Sequence, residues 1–304
     1  MGFLDDMLDK TVDAFDQGVS VAKGAVSGVA VENQPFMRGF ARLCQDGWNQ
    51  DWHDANGGNL SYRLKEEEVA AVRGYFYTDE RVWETLPVAV PELAGEFFAI
   101  TAAGKSMRSV AFDLDAGMGI IELNENGDAY RAVWGFKEGA KPTSELTGHL
   151  MNFQARMAAG DTDCRVMYHS HPLYLIAMTK LIQADDKTIT RKLWQSMTES
   201  LIVFPDGVGV VPCLPPGSVE LAKKTSETMA SYKSCVLAHH GFIAAGKDYD
   251  QAFGITQTVE KAAKVYMVAR MANKGNDSFN QDITGMELEE MAEHLGLQLN
   301  PKFL

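Results

Sequence analysis

Residues 164–172 read CRVMYHSHP, an apolar run that passes straight into His169-Ser170-His171 and stops at Pro172. This is the pattern of a buried strand that carries histidines at its C-terminal end. Side chains two apart on a strand point to the same side, so both imidazoles face one space. Residues 234–241, SCVLAHHG, repeat the arrangement, with His239 and His240 closing a second short strand before a glycine. Four of the seven histidines therefore sit at two strand ends, which favours one shared site over scattered polar residues. Neutral imidazole is the commonest zinc ligand, and a catalytic zinc takes three protein ligands and keeps one position open. Adjacent strand residues point to opposite faces, so only one of His239 and His240 joins the first pair. Spacing alone does not choose between them.

Around these strands the chain alternates strand and helix patterns. Further strands are expected at FFAIT (97–101), MGIIEL (118–123) and YRAVWGF (130–136), the last two joined by a turn over 124–128. Helices are expected over 35–50, 142–159, 173–183, 186–198, 217–232, 248–273 and 285–296. DANGGNLSYRL (54–64) reads as a tight turn followed by an alternating strand, and 65–95, with Pro87 and Pro91, as an irregular surface excursion. No internal repeat or linker divides the chain, so residues 34–304 form one α/β domain. Residues 1–33 read as a separate helical arm, with Phe3, Leu4, Met7, Leu8, Val12 and Phe15 at helical spacing. Five aspartates on its polar face (Asp5, Asp6, Asp9, Asp13 and Asp16) favour packing on the body or a neighbouring subunit over a membrane surface.

Composition narrows the class. With 304 residues, 46% hydrophobic and 23% charged, the chain is neither disordered, collagen-like nor a coiled coil. A net charge of −13 argues against nucleic acid as the main partner, while leaving room for a small anion in a local pocket. The cysteines form no CxxC pair, no stretch reaches the ~18–20 apolar residues of a membrane span, and the start MGFLDDML is acidic where a secretory signal is basic. A cytoplasmic protein is expected.

Two further segments carry chemistry. Pro142-Thr143-Ser144-Glu145 reads as a helix start, where unpaired N–H groups and the positive dipole end attract an anion. Glu145 would lie beside that anion, and His149, four residues on, shares its helix face and supports the carboxylate or the core. Asn56-Gly57-Gly58-Asn59 and Thr101-Ala102-Ala103-Gly104-Lys105 are turns whose glycines allow close approach to a ligand; the second lacks the spacing of a P-loop. Phe204-Pro205-Asp206-Gly207-Val208-Gly209 reads as a structural turn.

Together these segments resemble the class II (zinc-dependent) aldolase and adducin family. The motifs are Asn56-Gly57-Gly58-Asn59-Leu60, Gly104-Lys105, Pro142-Thr143-Ser144-Glu145-Leu146, His169-Ser170-His171, Leu193-Trp194 with Thr198-Glu199, Phe204 to Gly209, and His240-Gly241. The resemblance runs from about Trp48 to the C-terminus. It implies a three-layer α/β/α domain with a mostly antiparallel central sheet, and a homotetramer with active sites at subunit interfaces. It assigns one zinc per subunit to His169, His171 and His240, leaving His239 a neighbour. It makes Glu145 the catalytic carboxylate and places Asn56, Asn59, Gly104, Thr143 and Ser144 at the substrate phosphate. Glu199 would reach the neighbouring subunit's site. The branch it most resembles cleaves the sugar phosphate L-rhamnulose 1-phosphate to dihydroxyacetone phosphate and L-lactaldehyde through a zinc-stabilised enediolate.

One position departs from the pattern. Ala103 stands where the family has a serine at the phosphate, a loss of roughly 0.5–1.5 kcal/mol if nothing replaces the hydroxyl. Another ketose or ketose phosphate, cleaved or epimerised, therefore stays open as substrate. From other classes, a non-catalytic adducin-like protein and a zinc hydrolase are the alternatives. Residues 1–33 have no counterpart in the family.

Overall fold

The computed structural model describes residues 29–79 and 81–304. The arm expected over 1–33 therefore lies outside the described residues as far as residue 28. Its last residues form a 3-10 turn, Val31–Asn33, and Val31 is buried in the core.

The described strands form one sheet: β1 (Asn59–Arg63), β2 (Glu84–Thr85), β3 (Phe97–Thr101), β4 (Met118–Leu123), β5 (Ala129–Gly135), β6 (Val166–Ser170), β7 (Gly209–Val211), β8 (Ser234–Leu237) and β9 (Gly241–Gly246). Their order is β2-β5-β4-β3-β1-β6-β9-β8-β7, and each pairing is antiparallel except that of β7 with β8. The helices are α1 (Pro35–Asn49), α2 (Glu66–Val72), α3 (Met107–Val110), α4 (Leu114–Gly117), α5 (Leu146–Ala158), α6 (Leu173–Met178), α7 (Asp186–Ser196), α8 (Glu199–Val203), α9 (Val219–Met229), α10 (Tyr249–Ala272) and α11 (Gly285–Leu295).

The period-2 alternation of strands divides the core into two sides. Leu60, Tyr62, Ala99, Val166 and Tyr168 pack with Phe36, Phe40 and Leu43 of α1 and with Tyr249 of α10. Phe98, Ile100, Met167, Ile243 and Ala245 pack with Leu150 and Phe153 of α5 and Leu221 of α9 on the opposite side. A third cluster joins Phe242 and Val236 to α6, α7 and α10. With both faces covered, β1, β3, β6 and β9 are buried along their whole length. The result is the expected α/β/α layering around a mostly antiparallel sheet.

The structure differs from the sequence reading at several places. The segment 65–95 is not wholly an external excursion. It holds α2 and the edge strand β2, and Leu86, Val90 and Leu93 are core residues. The helix expected from 142 begins at Leu146. Pro142 instead forms an antiparallel bridge with Ala102, and the Thr143 N–H donates to the Thr101 carbonyl at 2.9 Å, so this stretch continues the sheet. Residues 238–240 form a turn rather than the end of a strand. His239 takes the left-handed conformation there (φ 63°), and its N–H donates to Thr179 Oγ1 at 3.1 Å.

Candidate active site

The side of the sheet covered by α5 is open at the C-terminal end of β6. Here β1 lies on one flank of β6, with Asn59 opposite His169, and β9 on the other, with Phe242 opposite Ser170. Asn59, Ser61, Met167 and His169 alternate onto the α5 side, which is why α5 begins beside them. The β8–β9 turn sends His239 outward, where it is exposed, and His240 inward. The choice between the two that spacing could not make is thus set by one left-handed residue.

The imidazoles of His169, His171 and His240 form a triangle with ring centroids 5.0, 4.8 and 5.3 Å apart, and one nitrogen from each lies within 4.8 Å of the others. The outer nitrogens are fixed from behind. His169 Nδ1–H donates to the Phe242 carbonyl at 3.1 Å, and His171 Nδ1–H donates to Asp54 Oδ1 at 2.6 Å. These bonds turn the Nε2 lone pairs inward. His171 Nε2 and His240 Nδ1 are buried with no hydrogen-bond partner. Two buried imidazole nitrogens without a partner are costly in a bare protein, and three rings converging this closely fit a bound divalent metal. Burial pushes the His169 imidazole down to about 4 and His240 below its ordinary value, so both offer lone pairs near neutrality.

Glycines make this convergence possible. A Cβ on Gly241 would lie 3.0 Å from carbon atoms of both the His169 and His171 rings. Gly58 sits at φ +78°, and a Cβ there would collide with His53 and approach the His169 carbonyl at 2.9 Å. Neither position admits a side chain without moving a histidine.

Glu145 is the N-cap residue of α5, and its Oε2 lies 3.8 Å from His169 Nε2. Asn59 Nδ2 donates to the same oxygen at 3.1 Å. Burial works to raise the Glu145 carboxyl, but the neighbouring His169 ring and the Asn59 amide outweigh it and hold the group below the ordinary carboxylate value. Thr143 Oγ1 accepts from the Glu145 N–H at 3.3 Å.

A cavity of about 290 Å³ unites these groups. Its wall includes Asn56, Asn59, Gly104, Thr143, Ser144, Glu145, His169, His171 and His240, with Ala103 and Pro216. The Ala103 N–H is already given to the Lys141 carbonyl (2.8 Å). Glu199 is absent from this wall; it is exposed at the start of α8, where it accepts from the Thr198 hydroxyl at 3.1 Å. Sequence reasoning passed over Asp54 and Ser61. Asp54 stands inside the quoted stretch 54–64, but nothing there says that it faces a histidine 117 positions away.

The chain as a whole is similar to known proteins. Residues 38–267 match the family model described as Class II Aldolase and Adducin N-terminal domain. Rhamnulose-1-phosphate aldolase of Listeria monocytogenes is 36% identical over 272 residues, covering 88% of this chain and 96% of the relative. Rhamnulose-1-phosphate aldolase of Enterococcus faecalis is 37% identical over 265 residues, covering 86% and 92%. Among solved structures, a sugar-phosphate aldolase from Thermotoga maritima superposes with a TM-score of 0.61 at 28% identity, covering 79% of this chain and 96% of that one. A model matching most of the described domain, and relatives at this identity over nearly their full length, place the chain in the class II aldolase and adducin family.

Proposed function

We propose that the protein is a metal-dependent lyase that reversibly cleaves L-rhamnulose 1-phosphate to dihydroxyacetone phosphate and L-lactaldehyde. One observation carries this reading: three convergent imidazoles, two with unpartnered buried nitrogens, share a cavity with an N-cap carboxylate. The names of the relatives supply the substrate. His169, His171 and His240 would hold the metal, and an all-nitrogen set of three suits zinc. A bound divalent ion supplies Lewis-acid stabilisation of the negative charge that develops on the substrate oxygens as the carbon–carbon bond breaks.

The chain's own groups do the rest. Glu145 takes the C3 proton of dihydroxyacetone phosphate in the synthetic direction and returns it to that carbon in cleavage. Its depressed pKa keeps it ionised and ready for the first task. Asn56, Asn59, Gly104, Thr143 and Ser144 hold the phosphate, which uses binding energy remote from the reaction to orient the reacting carbons. Glu199 of a neighbouring subunit serves the aldehyde oxygen. Its exposure at the start of α8 supports a role away from its own cavity, in a homotetramer with sites at subunit interfaces. The arm of residues 1–33 contributes to that assembly, so its deletion should weaken the tetramer. Among the described residues no helix is long and apolar enough to cross a membrane.

The deciding assay is coupled detection of dihydroxyacetone phosphate from L-rhamnulose 1-phosphate, beside L-fuculose 1-phosphate and L-rhamnulose, with and without chelator. Chelator-sensitive release from the first substrate is expected. No release from either phosphate would overturn the reading. Conversion without release would reassign the site to epimerisation.

A further inference from the structure

Asn59 does more than line the cavity. Its side-chain amide spans two groups: Nδ2 faces Glu145 Oε2 at 3.1 Å, and Oδ1 faces His149 Nε2. The other ring nitrogen of His149, Nδ1, lies 2.5 Å from Ser61 Oγ. Asn59, Ser61 and His149 are all buried, at 6%, 1% and 1% exposure.

The protons of this chain can be assigned from one end. An ionised carboxylate only accepts, so the amide end facing Glu145 is the NH2. That leaves the amide oxygen for His149, whose Nε2 must then carry a hydrogen and donate. A neutral imidazole with hydrogen on Nε2 accepts at Nδ1, so the Ser61 hydroxyl donates there. Each donor meets one acceptor along Ser61, His149, Asn59 and Glu145. Turned over, the Asn59 amide would present its oxygen to the Glu145 carboxylate, a mispairing that no tautomer of His149 repairs.

We propose that His149 is a positioning residue: its Nε2–H holds the Asn59 amide in the orientation that faces Glu145, and the Ser61 hydroxyl, which can donate or accept, completes that tautomer by donating to Nδ1. The Glu145 carboxylate is then gripped at Oε2, and Oε1 has no hydrogen-bond partner among the described residues. The backbone links the two ends as well, since the His149 N–H donates to the Glu145 carbonyl at 3.0 Å. This inference rests on Glu145 being the base. It adds a second duty for Asn59, which faces the base and not only the phosphate.

The test combines two readouts. The imidazole 15N shifts of His149 in the metal-loaded wild type should report hydrogen on Nε2 and none on Nδ1; the opposite tautomer overturns the inference whatever the enzyme's activity. In cleavage assays on L-rhamnulose 1-phosphate, His149→Leu should lower kcat about 10- to 100-fold, as expected for a displaced catalytic group. Metal content should not change. His149→Gln, which keeps a donor towards Asn59, should recover most of that loss. In an Asn59→Ala background, His149→Leu should cost almost nothing further. Equal losses in both backgrounds, or Gln no better than Leu, would overturn it. A wild type inactive on every ketose phosphate would instead remove the base assignment, a failure visible before any variant is made.

Discussion

Removing Asp54 should weaken metal binding although Asp54 touches no metal. Its Oδ1 accepts from His171 Nδ1–H at 2.6 Å, which fixes the tautomer and aims Nε2 into the three-histidine triangle. Loss of such an outer partner costs about 10- to 100-fold in metal affinity. The Asp54 side chain is 81% exposed, so water can replace part of what it supplies, and the low end applies. Asp54→Ala should therefore cost about tenfold, equivalent to ~1.4 kcal/mol. Asp54→Asn keeps an accepting oxygen without the charge and should fall between Ala and wild type. Zinc competition against a chromophoric chelator, near neutral pH and at fixed ionic strength, measures all three. Unchanged affinity in Asp54→Ala would show that His171 is oriented by its ring packing alone.

Four further outcomes are expected. Glu145→Gln should keep its metal and lose about 10²- to 10⁴-fold in turnover; metal analysis beside kcat separates this from a folding defect, and near-normal turnover removes Glu145 as the base. Glu199→Lys should lower activity with metal content intact, and unchanged kinetics would remove its assignment to a neighbouring site. Ala103→Ser should restore a hydroxyl at the rim and lower KM for a phosphorylated ketose by roughly 2- to 12-fold, the equivalent of ~0.5–1.5 kcal/mol; an equal gain with the unphosphorylated sugar would place Ala103 away from the phosphate. Acid should destabilise the metal-free protein. Burial pushes His53 down to about 3 and His149 to about 4, from an ordinary 6.5. Below 6.5 the unfolded chain binds protons that the folded one refuses, so stability is full above that pH and is lost as pH falls towards 4. A thermal midpoint that stays flat over that window would show that these rings accept protons while folded.

The strand that carries His169 and runs out just before His171 was legible because period-2 geometry needs no tertiary information. The strands β3, β4 and β5 were legible for the same reason, being bounded by clear turn residues. What escaped was decided by contacts across the sheet. Pro142 to Ser144 look like a helix start, but an antiparallel bridge from Pro142 to Ala102 and the Thr143 N–H bond to Thr101 tie the stretch to the sheet, a turn follows at Ser144, and Glu145 becomes the N-cap. The stretch 65–95 is rich in charge and carries two prolines, yet the spacing of Leu86, Val90 and Leu93 places three apolar side chains in the core. His239 and His240 were indistinguishable as strand residues because they are not on a strand. The left-handed turn that separates them falls on His239, and although histidine tolerates that conformation, nothing in the sequence says which of two adjacent histidines adopts it. Asp54 and Ser61 act through single hydrogen bonds to partners far along the chain, and such bonds leave no periodic trace.

The two halves of the site differ in how they are held, and that difference bears on where specificity can change. His169, Asn59, His149 and Ser61 are buried against the sheet and tied to one another or to the backbone, so a substitution among them disturbs packing as well as chemistry. Asn56, Ala103, Gly104 and Ser144 line the same cavity but are exposed. Ala103 anchors its turn through its backbone N–H to Lys141, a bond that no side chain contributes to. Exchanging serine for alanine there removes a donor from the cavity rim without removing a hydrogen bond from the fold. On the proposed reading, the departure at position 103 falls on the half of the site that can change its affinity for an anion while the half proposed to hold the metal stays as it is.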